Sequence, residues 1–406
     1  MTGTTQALGG IKVVELGGYA AGPHAGKVLA NFGATVVHVE SHKRPDGFRL
    51  EYPPFKDNIA GINRGGCFAF FNDSKYGVTL DLKKAEGLEL ARRLIDWADI
   101  VIENMRPGVV TRLGLGYEEM RETNPGLIML STCNMGQTGP RAHTPGFGTQ
   151  LSSLAGFCGA IGDAEGPPML LYGPYIDFIA SLMACAAILA ALDRKRHTGK
   201  GCWIDLSQYE CGVQFMAGAM FGYHRDGTIA GRNANRDRVA APHNAYQCEN
   251  DRWLALSCHT DSEFAALTRV LGCPDLADDP RFSGVADRHE NLRALDAAIG
   301  AKMVSRDAEA TAVALQEAGV AAYPVNTVAD LFADPQLNAR RSWRPREHGE
   351  IGEQNYLMPG FDLSSTRGDV TRAAPLLGGD NRIVFEDLLG LDRQELDAYV
   401  TQGALH

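Results

Sequence analysis

The chain contains no Cys-x-x-Cys pair, although it has nine cysteines: Cys67, Cys133, Cys158, Cys185, Cys202, Cys211, Cys248, Cys258 and Cys273. The usual zinc and dithiol-redox patterns are therefore missing. An odd number of thiols scattered over apolar segments reads as reduced cysteines in a cytoplasmic protein. No basic stretch followed by an apolar one opens the chain at Met1-Thr2-Gly3-Thr4-Thr5, so no secretory signal is expected. The most apolar run, Ile176 to Leu192, includes Asp177 and falls short of the ~20 strongly apolar residues of a membrane span. No membrane is expected as a partner. Positive charge is in deficit, with 39 Lys+Arg against 49 Asp+Glu and a net charge of -10. Such a balance disfavours nucleic acid. The densest basic run, Asp193-Arg194-Lys195-Arg196-His197, follows an apolar helix and suits a solvated C-terminal turn. Gly-x-Ser-x-Gly, the Walker loop and His-Glu-x-x-His are all missing, and no metal is expected.

What is present is an ordinary globular composition, 45% hydrophobic and 22% charged. A length of 406 residues exceeds what one core usually holds, so two domains are expected. Ile11 to Leu16 reads as a buried strand, Gly17-Gly18-Tyr19-Ala20-Ala21-Gly22-Pro23 as a tight loop, and His24 to Phe32 as a helix that Gly33 can stop. Strands are expected at Thr35 to Glu40, Val78 to Leu82, Asp99 to Glu103 and Leu127 to Ser131, with a helix over Lys84 to Trp97. Strands alternating with helices at this spacing predict a parallel, doubly wound α/β sheet. A helix over Ala180 to Leu192, a strand Cys202 to Leu206 and a helix Ser207 to Tyr223 continue it. Composition turns polar between Arg225 and Arg238, the expected boundary. Beyond it come a strand at Trp253 to Ser257, three helices and a return strand at Tyr323 to Asn326. The tail from about Asp330 carries few core signals except Ile383 to Leu391.

Several segments compete for chemistry, among them the turn-rich Gly136-Gln137-Thr138-Gly139-Pro140, which could lie over a ligand or simply turn the chain. The first loop has glycines spaced G-G-x-x-x-G with Pro23 after the last, so it departs from the dinucleotide fingerprint G-x-G-x-x-G. NAD(P) is a minor reading, while another phosphate at the helix start remains open. Glu103-Asn104-Met105-Arg106-Pro107-Gly108 follows a strand, where ligands bind in α/β sheets, yet Pro107-Gly108 equally makes a turn. Arg106 and Arg112 suit phosphates or surface ion pairs. His259, Asp261 and Glu263 fit either a lid or a helix cap, with the cap favoured. Asp177 opens a long helix; alone it reads as an N-cap. The helix dipole would keep its carboxylate ionised, as a nucleophile requires.

An ordered set of motifs resembles the CaiB/BaiF family, the class III CoA-transferases. It comprises Gly10 to Leu16 with Ala21-Gly22-Pro23, Phe32 to Glu40, Leu80-Asp81-Leu82-Lys83, Ala98 to Gly108, Arg112-Leu113-Gly114, Asn124-Pro125, Gly136-Gln137-Thr138-Gly139-Pro140 and Thr198-Gly199-Lys200-Gly201. The resemblance spans nearly the whole chain. It implies a large Rossmann-like domain with a parallel sheet, built from both chain ends, and a smaller α/β domain between them. The expected division is 1–224, 225–325 and 326–406. It implies an interlocked dimer, coenzyme A thioesters and carboxylic acids as substrates, and Asp177 as the nucleophile that carries first an acyl group and then CoA. Carried over, the CoA contacts are Ala20, Ala21, Leu80, Asp81, Leu82, Lys83, Asn104, Met105, Arg106 and Arg112. The basic residue that often follows the position of Glu40 is replaced by Ser41, and the glycine-rich flap by Ser257-Cys258-His259-Thr260. The family's 2-methylacyl-CoA racemases use a His-Asp pair besides the aspartate. Those positions hold Phe147 and Gly148, which makes racemisation the weaker alternative. Gly61-Ile62-Asn63-Arg64 and Tyr172 to Ala180 are similar to subunits of succinyl-CoA:benzylsuccinate CoA-transferase, so a heteromer with a paralogous subunit is the alternative to a homodimer.

Overall fold

A computed structural model describes residues 6–406. The first half of the chain builds a six-stranded parallel sheet. Its strands are β1 (Lys12–Leu16), β2 (Thr35–Glu40), β3 (Tyr76–Thr79), β4 (Ile100–Glu103), β5 (Ile128–Cys133) and β6 (Cys202–Ser207). Their spatial order is β3-β2-β1-β4-β5-β6, and each neighbouring pair is parallel. The expected parallel α/β sheet is therefore present. The order in which strands are added reverses between β1 and β4, which opens a crevice at the carboxyl ends of those parallel strands. β1, β2, β4 and β5 are buried on both faces because helices cover both.

The first eleven α-helices are α1 (Ala21–Asn31), α2 (Gly66–Asn72), α3 (Ala85–Trp97), α4 (Val109–Arg112), α5 (Tyr117–Thr123), α6 (Gly148–Leu154), α7 (Phe157–Ala160), α8 (Tyr175–Thr198), α9 (Gln208–Gln214), α10 (Ala217–Asp226) and α11 (Asp261–Val270). On one face, α1 and α8 pack Ala25, Leu29, Ala180, Ala184 and Ile188 onto Val13, Val36, Ile100 and Ile128. On the other, α3 packs Leu90, Leu94 and Ile95 with Val14, Val37 and Val101. Each fully buried valine, leucine or isoleucine among them contributes roughly 1.5–3 kcal/mol.

Among the described residues, α8 is long and apolar enough to cross a membrane, against the expectation that its segment falls short. Its small residues instead let it lie against α1, where His24 Nδ1 and Ser181 Oγ are 2.6 Å apart. Two other expectations differ. The helix expected over Ser207 to Tyr223 divides into α9 and α10 at Phe215-Met216. The tail contains an unexpected antiparallel hairpin, β10 (Trp343–His348) and β11 (Gly352–Leu357). Pro345 obscured it, since proline removes a ladder donor and is tolerated only where no partner strand needs one.

The chain divides into two compact units. Among the described residues, one comprises 6–159, 169–230 and 339–406, so it draws on both the first and the last part of the chain; the other comprises 160–168 and 231–338. The second unit holds an antiparallel sheet of β7 (His243–Gln247), β8 (Trp253–Ser257) and β9 (Ala321–Pro324), covered by α11 and neighbouring helices. At the start of α11, Thr260 is the cap: its Oγ1 accepts from the Glu263 N–H, and Glu263 accepts from the N–H groups of His259 and Thr260. That reciprocal pairing is the favoured cap reading of the His259-Asp261-Glu263 cluster.

Candidate active site

The crevice at the sheet reversal is a cavity of ≈ 330 Å³, lined by loops after β1, β4, β5 and β6. Tyr19 and Ala20 come from the first, Asn104 to Pro107 from the second, and Cys133, Asn134 and residues 142–147 from the third. Gln208, directly after β6, and Asp177, from the first turn of α8, complete it.

Two loops are stitched together at the reversal. The Asn104 Nδ2 donates to the Gly18 carbonyl at 2.7 Å, and the Gly18 N–H donates back to Asn104 Oδ1 at 3.0 Å. The close approach explains Gly17, whose φ is 144° and where a Cβ would meet Asn104 Oδ1 at 1.8 Å. The glycines of the first loop thus serve loop–loop packing.

Tyr19 has φ 62°, a left-handed conformation uncommon for such a residue. Its N–H donates to both carboxylate oxygens of Asp46, at 3.1 and 3.0 Å, and its hydroxyl donates to Glu51 at 2.8 Å. Asp46 is buried, and that burial pushes its carboxyl up to about 6 even though His38 and the backbone N–H groups of Tyr19 and Phe48 favour the anion. Behind it, Lys75 Nζ reaches both Glu15 oxygens, the Pro23 carbonyl and Asn72 Oδ1, at 2.7–3.0 Å. This buried network anchors β1 to the start of α1.

Asp177 is the third residue of α8, in its first turn, and the N-cap is Pro174. It is not the N-cap itself. Nor does the dipole keep its carboxylate readily ionised: burial in the crevice pushes it up to about 7, and its own backbone N–H opposes this only in part. Desolvation outweighs the dipole here. Gly148, the first residue of α6, lies directly against the carboxylate; a Cβ there would sit 1.8 Å from Asp177 Oδ2.

A second acid lies at the end of β4. Glu103 is buried, and burial pushes its carboxyl up to about 7, opposed by bonds from Ser131 and the Met105 N–H, with the Asp205 charge adding to the rise. Gln137 donates its backbone N–H to Asp205 at 2.9 Å and its side-chain amide toward Glu103 at 3.5 Å. The Gly136–Gly139 turn is thereby tied across the tips of three strands.

Of the residues expected at the site, Ala20, Asn104, Met105 and Arg106 share the cavity lining with Asp177. Ala21, the first residue of α1, is buried outside the lining. Leu80, Asp81, Leu82 and Lys83 follow β3 on the same carboxyl edge, also outside the lining; Asp81 accepts from Lys43 at 2.6 Å and from the Lys83 N–H at 3.1 Å. Lys43 thus places a cation two residues beyond Ser41. Arg112 ends α4, exposed and outside the lining. Sequence reasoning missed Tyr19, Asn134, His143, Gln208 and the buried acid Glu103 as individuals. Gln208 was findable, because it follows a strand's carboxyl end as Asn104 does.

A partly buried carboxylate where the strand order of a parallel sheet reverses, walled by strand-end loops, has the form of the binding crevice of an α/β enzyme. The family model for CoA-transferase family III matches residues 8–381, and the chain belongs to that family and is a CoA-transferase. It is 34% identical over 392 residues to succinyl-CoA–D-citramalate CoA-transferase of Chloroflexus aurantiacus, with 96% of each chain covered. It is 33% identical over 406 residues to the succinyl-CoA–L-malate CoA-transferase alpha subunit of Chloroflexus aurantiacus, covering 96% of this chain and 90% of that one. The crystal structure of a CaiB/BaiF family protein from Brucella suis superimposes with a TM-score of 0.88 at 31% identity, covering 95% of this chain and 100% of the other.

Proposed function

We propose that Asp177 is the nucleophile of CoA transfer between two carboxylic acids. The observation that carries this is the Asp177 carboxylate, held against Gly148 inside the strand-end crevice. Ionised Asp177 attacks the thioester carbonyl of the donor, and CoA thiolate leaves, forming a mixed anhydride. The thiolate then attacks the Asp177 carbonyl and expels the donor acid, which leaves an aspartyl-CoA thioester. The acceptor carboxylate attacks that thioester, thiolate leaves again, and its attack on the acceptor's carbonyl gives acceptor-CoA and free Asp177. Holding the thiolate beside the anhydride supplies the effective concentration the exchange needs. Backbone N–H groups would stabilise each oxyanion.

Coenzyme A would enter over Ala20 and Asn104 to Arg106 and run along the sheet edge toward Leu80 to Lys83, with Ala21 beneath it and Arg112 or Lys43 available to phosphates. The racemase alternative lacks support, because Phe147 and Gly148 occupy the positions of its extra acid–base pair and Gly148 packs on the carboxylate. An interlocked homodimer is supported by large apolar side chains left exposed, such as Tyr172 at 95% and Phe221 at 72%. A heteromer draws support from the resemblance to an alpha subunit. Nine free thiols support a cytoplasmic setting.

Borohydride or hydroxylamine trapping after incubation with an acyl-CoA should mark Asp177. Full transfer activity in Asp177→Ala would overturn the mechanism.

A further inference from the structure

The wall of the crevice beside Asp177 is aromatic. Phe147 is the peptide neighbour of Gly148, which touches the carboxylate. Phe147 is 54% exposed, and its ring makes a T-shaped contact with Tyr19 at 5.7 Å between centroids. Tyr19 is not free to move away. Its backbone is fixed by Asp46 and its hydroxyl by Glu51, and its ring is wedged against Phe48 at 5.4 Å and Tyr52 at 6.3 Å. Phe48 in turn stacks on the buried Phe71 at 5.3 Å.

Charge is distributed differently. Among the described residues lining the crevice, Arg106 is the one arginine or lysine, and it belongs to the loop after β4. A thioester carbonyl positioned at Asp177 sends its two substituents in diverging directions. With the CoA arm over the β1 and β4 loops, the remaining lining open to the acyl arm is that of Phe147 and Pro145. A second carboxylate on that arm finds no lysine or arginine there, with His143 the one basic side chain on that wall, whereas a flat ring finds two aromatic side chains.

We propose that Tyr19 and Phe147 select the acid, and that this enzyme prefers carboxylic acids bearing an aromatic ring to short dicarboxylic acids. The inference rests on the transfer reading of Asp177. It also sets this chain apart from the relatives above, whose names carry citramalate and malate.

The test uses the full chain with one fixed acyl-CoA donor and a series of acceptors: phenylacetate, cyclohexylacetate, hexanoate, succinate and glutarate. Phenylacetate should exceed each of the others in kcat/KM by about three- to tenfold, the size expected of an aromatic pair. Phe147→Ala should abolish that margin, and Phe147→Tyr should keep it. Preference for succinate or glutarate in the unaltered enzyme overturns the proposal. So does a Phe147→Ala variant whose KM for every acyl-CoA rises by one common factor, since the wall would then serve CoA. Calorimetric titration of the same acids and trapping at Asp177 separate the two readings. Aromatic order in binding without a label on Asp177 overturns the transfer chemistry alone. A labelled Asp177 without that order overturns the specificity wall alone.

Discussion

Gly148 and Asp177 are in direct contact: the α-carbon of one lies so close to the carboxylate of the other that a methyl group would overlap Oδ2 at 1.8 Å. Gly148→Ala therefore has to displace the carboxylate or the start of α6. Displacement on the order of 1 Å costs about 10²-fold in rate. Turnover should fall by about that factor while the melting temperature shifts little, because alanine is a good helix residue. Steady-state rates and thermal unfolding of one preparation check both halves.

The protonation of Asp177 gives a pH signature. Burial pushes its carboxyl up to about 7, so the nucleophilic form accumulates only as pH rises through that value. The expected kcat/KM climbs about tenfold per pH unit below ~7 and levels off above it. A profile that is flat between pH 5 and about 8 would exclude an acid of this kind.

The same shift reverses sign for stability. In the folded chain Asp177 keeps its proton up to about 7, whereas an unfolded aspartate loses it near ~3.9. Between those values the folded state binds more protons, so stability falls as pH rises. Glu103, also raised to about 7, acts in the same direction. Asp177→Asn should abolish transfer, melt higher than the unaltered chain at pH ~8, and lose that advantage near pH ~4. Thermal unfolding across pH reads the crossover.

Asn104 holds the β1 and β4 loops by two bonds to Gly18, at 2.7 and 3.0 Å. Asn104→Ala leaves both backbone groups short of a partner, at a cost of about 1–3 kcal/mol. Asn104→Asp should be worse for binding, because it sets a carboxylate oxygen against the Gly18 carbonyl. Denaturant unfolding should show the loss in the first variant, and KM for acyl-CoA should rise in both.

Lys75 is fully buried and gives Glu15 its cationic partner. Lys75→Ala leaves that carboxylate in the core with only His38 Nδ1, 2.9 Å from its Oε2, and breaking a buried pair from one side costs up to about 3–5 kcal/mol. The variant should lose much of its cooperative unfolding transition in urea, whereas Lys43→Ala, at a largely exposed cation, should change stability by under ~1 kcal/mol.

Much of the sheet was legible in the sequence. Val13-Val14, Val36-Val37 and Ile100-Val101-Ile102 are short apolar runs bounded by turn residues, and helical stretches separate them, which is the local signature of buried parallel strands. The edge strand β3 was less legible, because Tyr76 and Gly77 belong to it while Leu80 to Leu82, which look more strand-like, lie beyond its end. The β10–β11 hairpin was hidden by Pro345 and by charged residues such as Arg344, whose burial depends on Asp369, 25 positions away.

At the site, strand-end logic found Ala20 and Asn104 to Arg106, since a residue's place after a strand is a local property. It did not find Tyr19, whose role follows from Asp46, Phe48 and Phe147 converging on it from three separate segments.

By itself, then, the sequence determined most strands of the large sheet, their parallel pairing, the family and the identity of the acid at position 177. These follow from periodicity and ordered motifs that neighbouring residues encode. Only the tertiary structure decided what that acid is. Its protonation, its contact with Gly148 and the aromatic wall beside it depend on desolvation and on distances between segments far apart in the chain, and no local pattern records either.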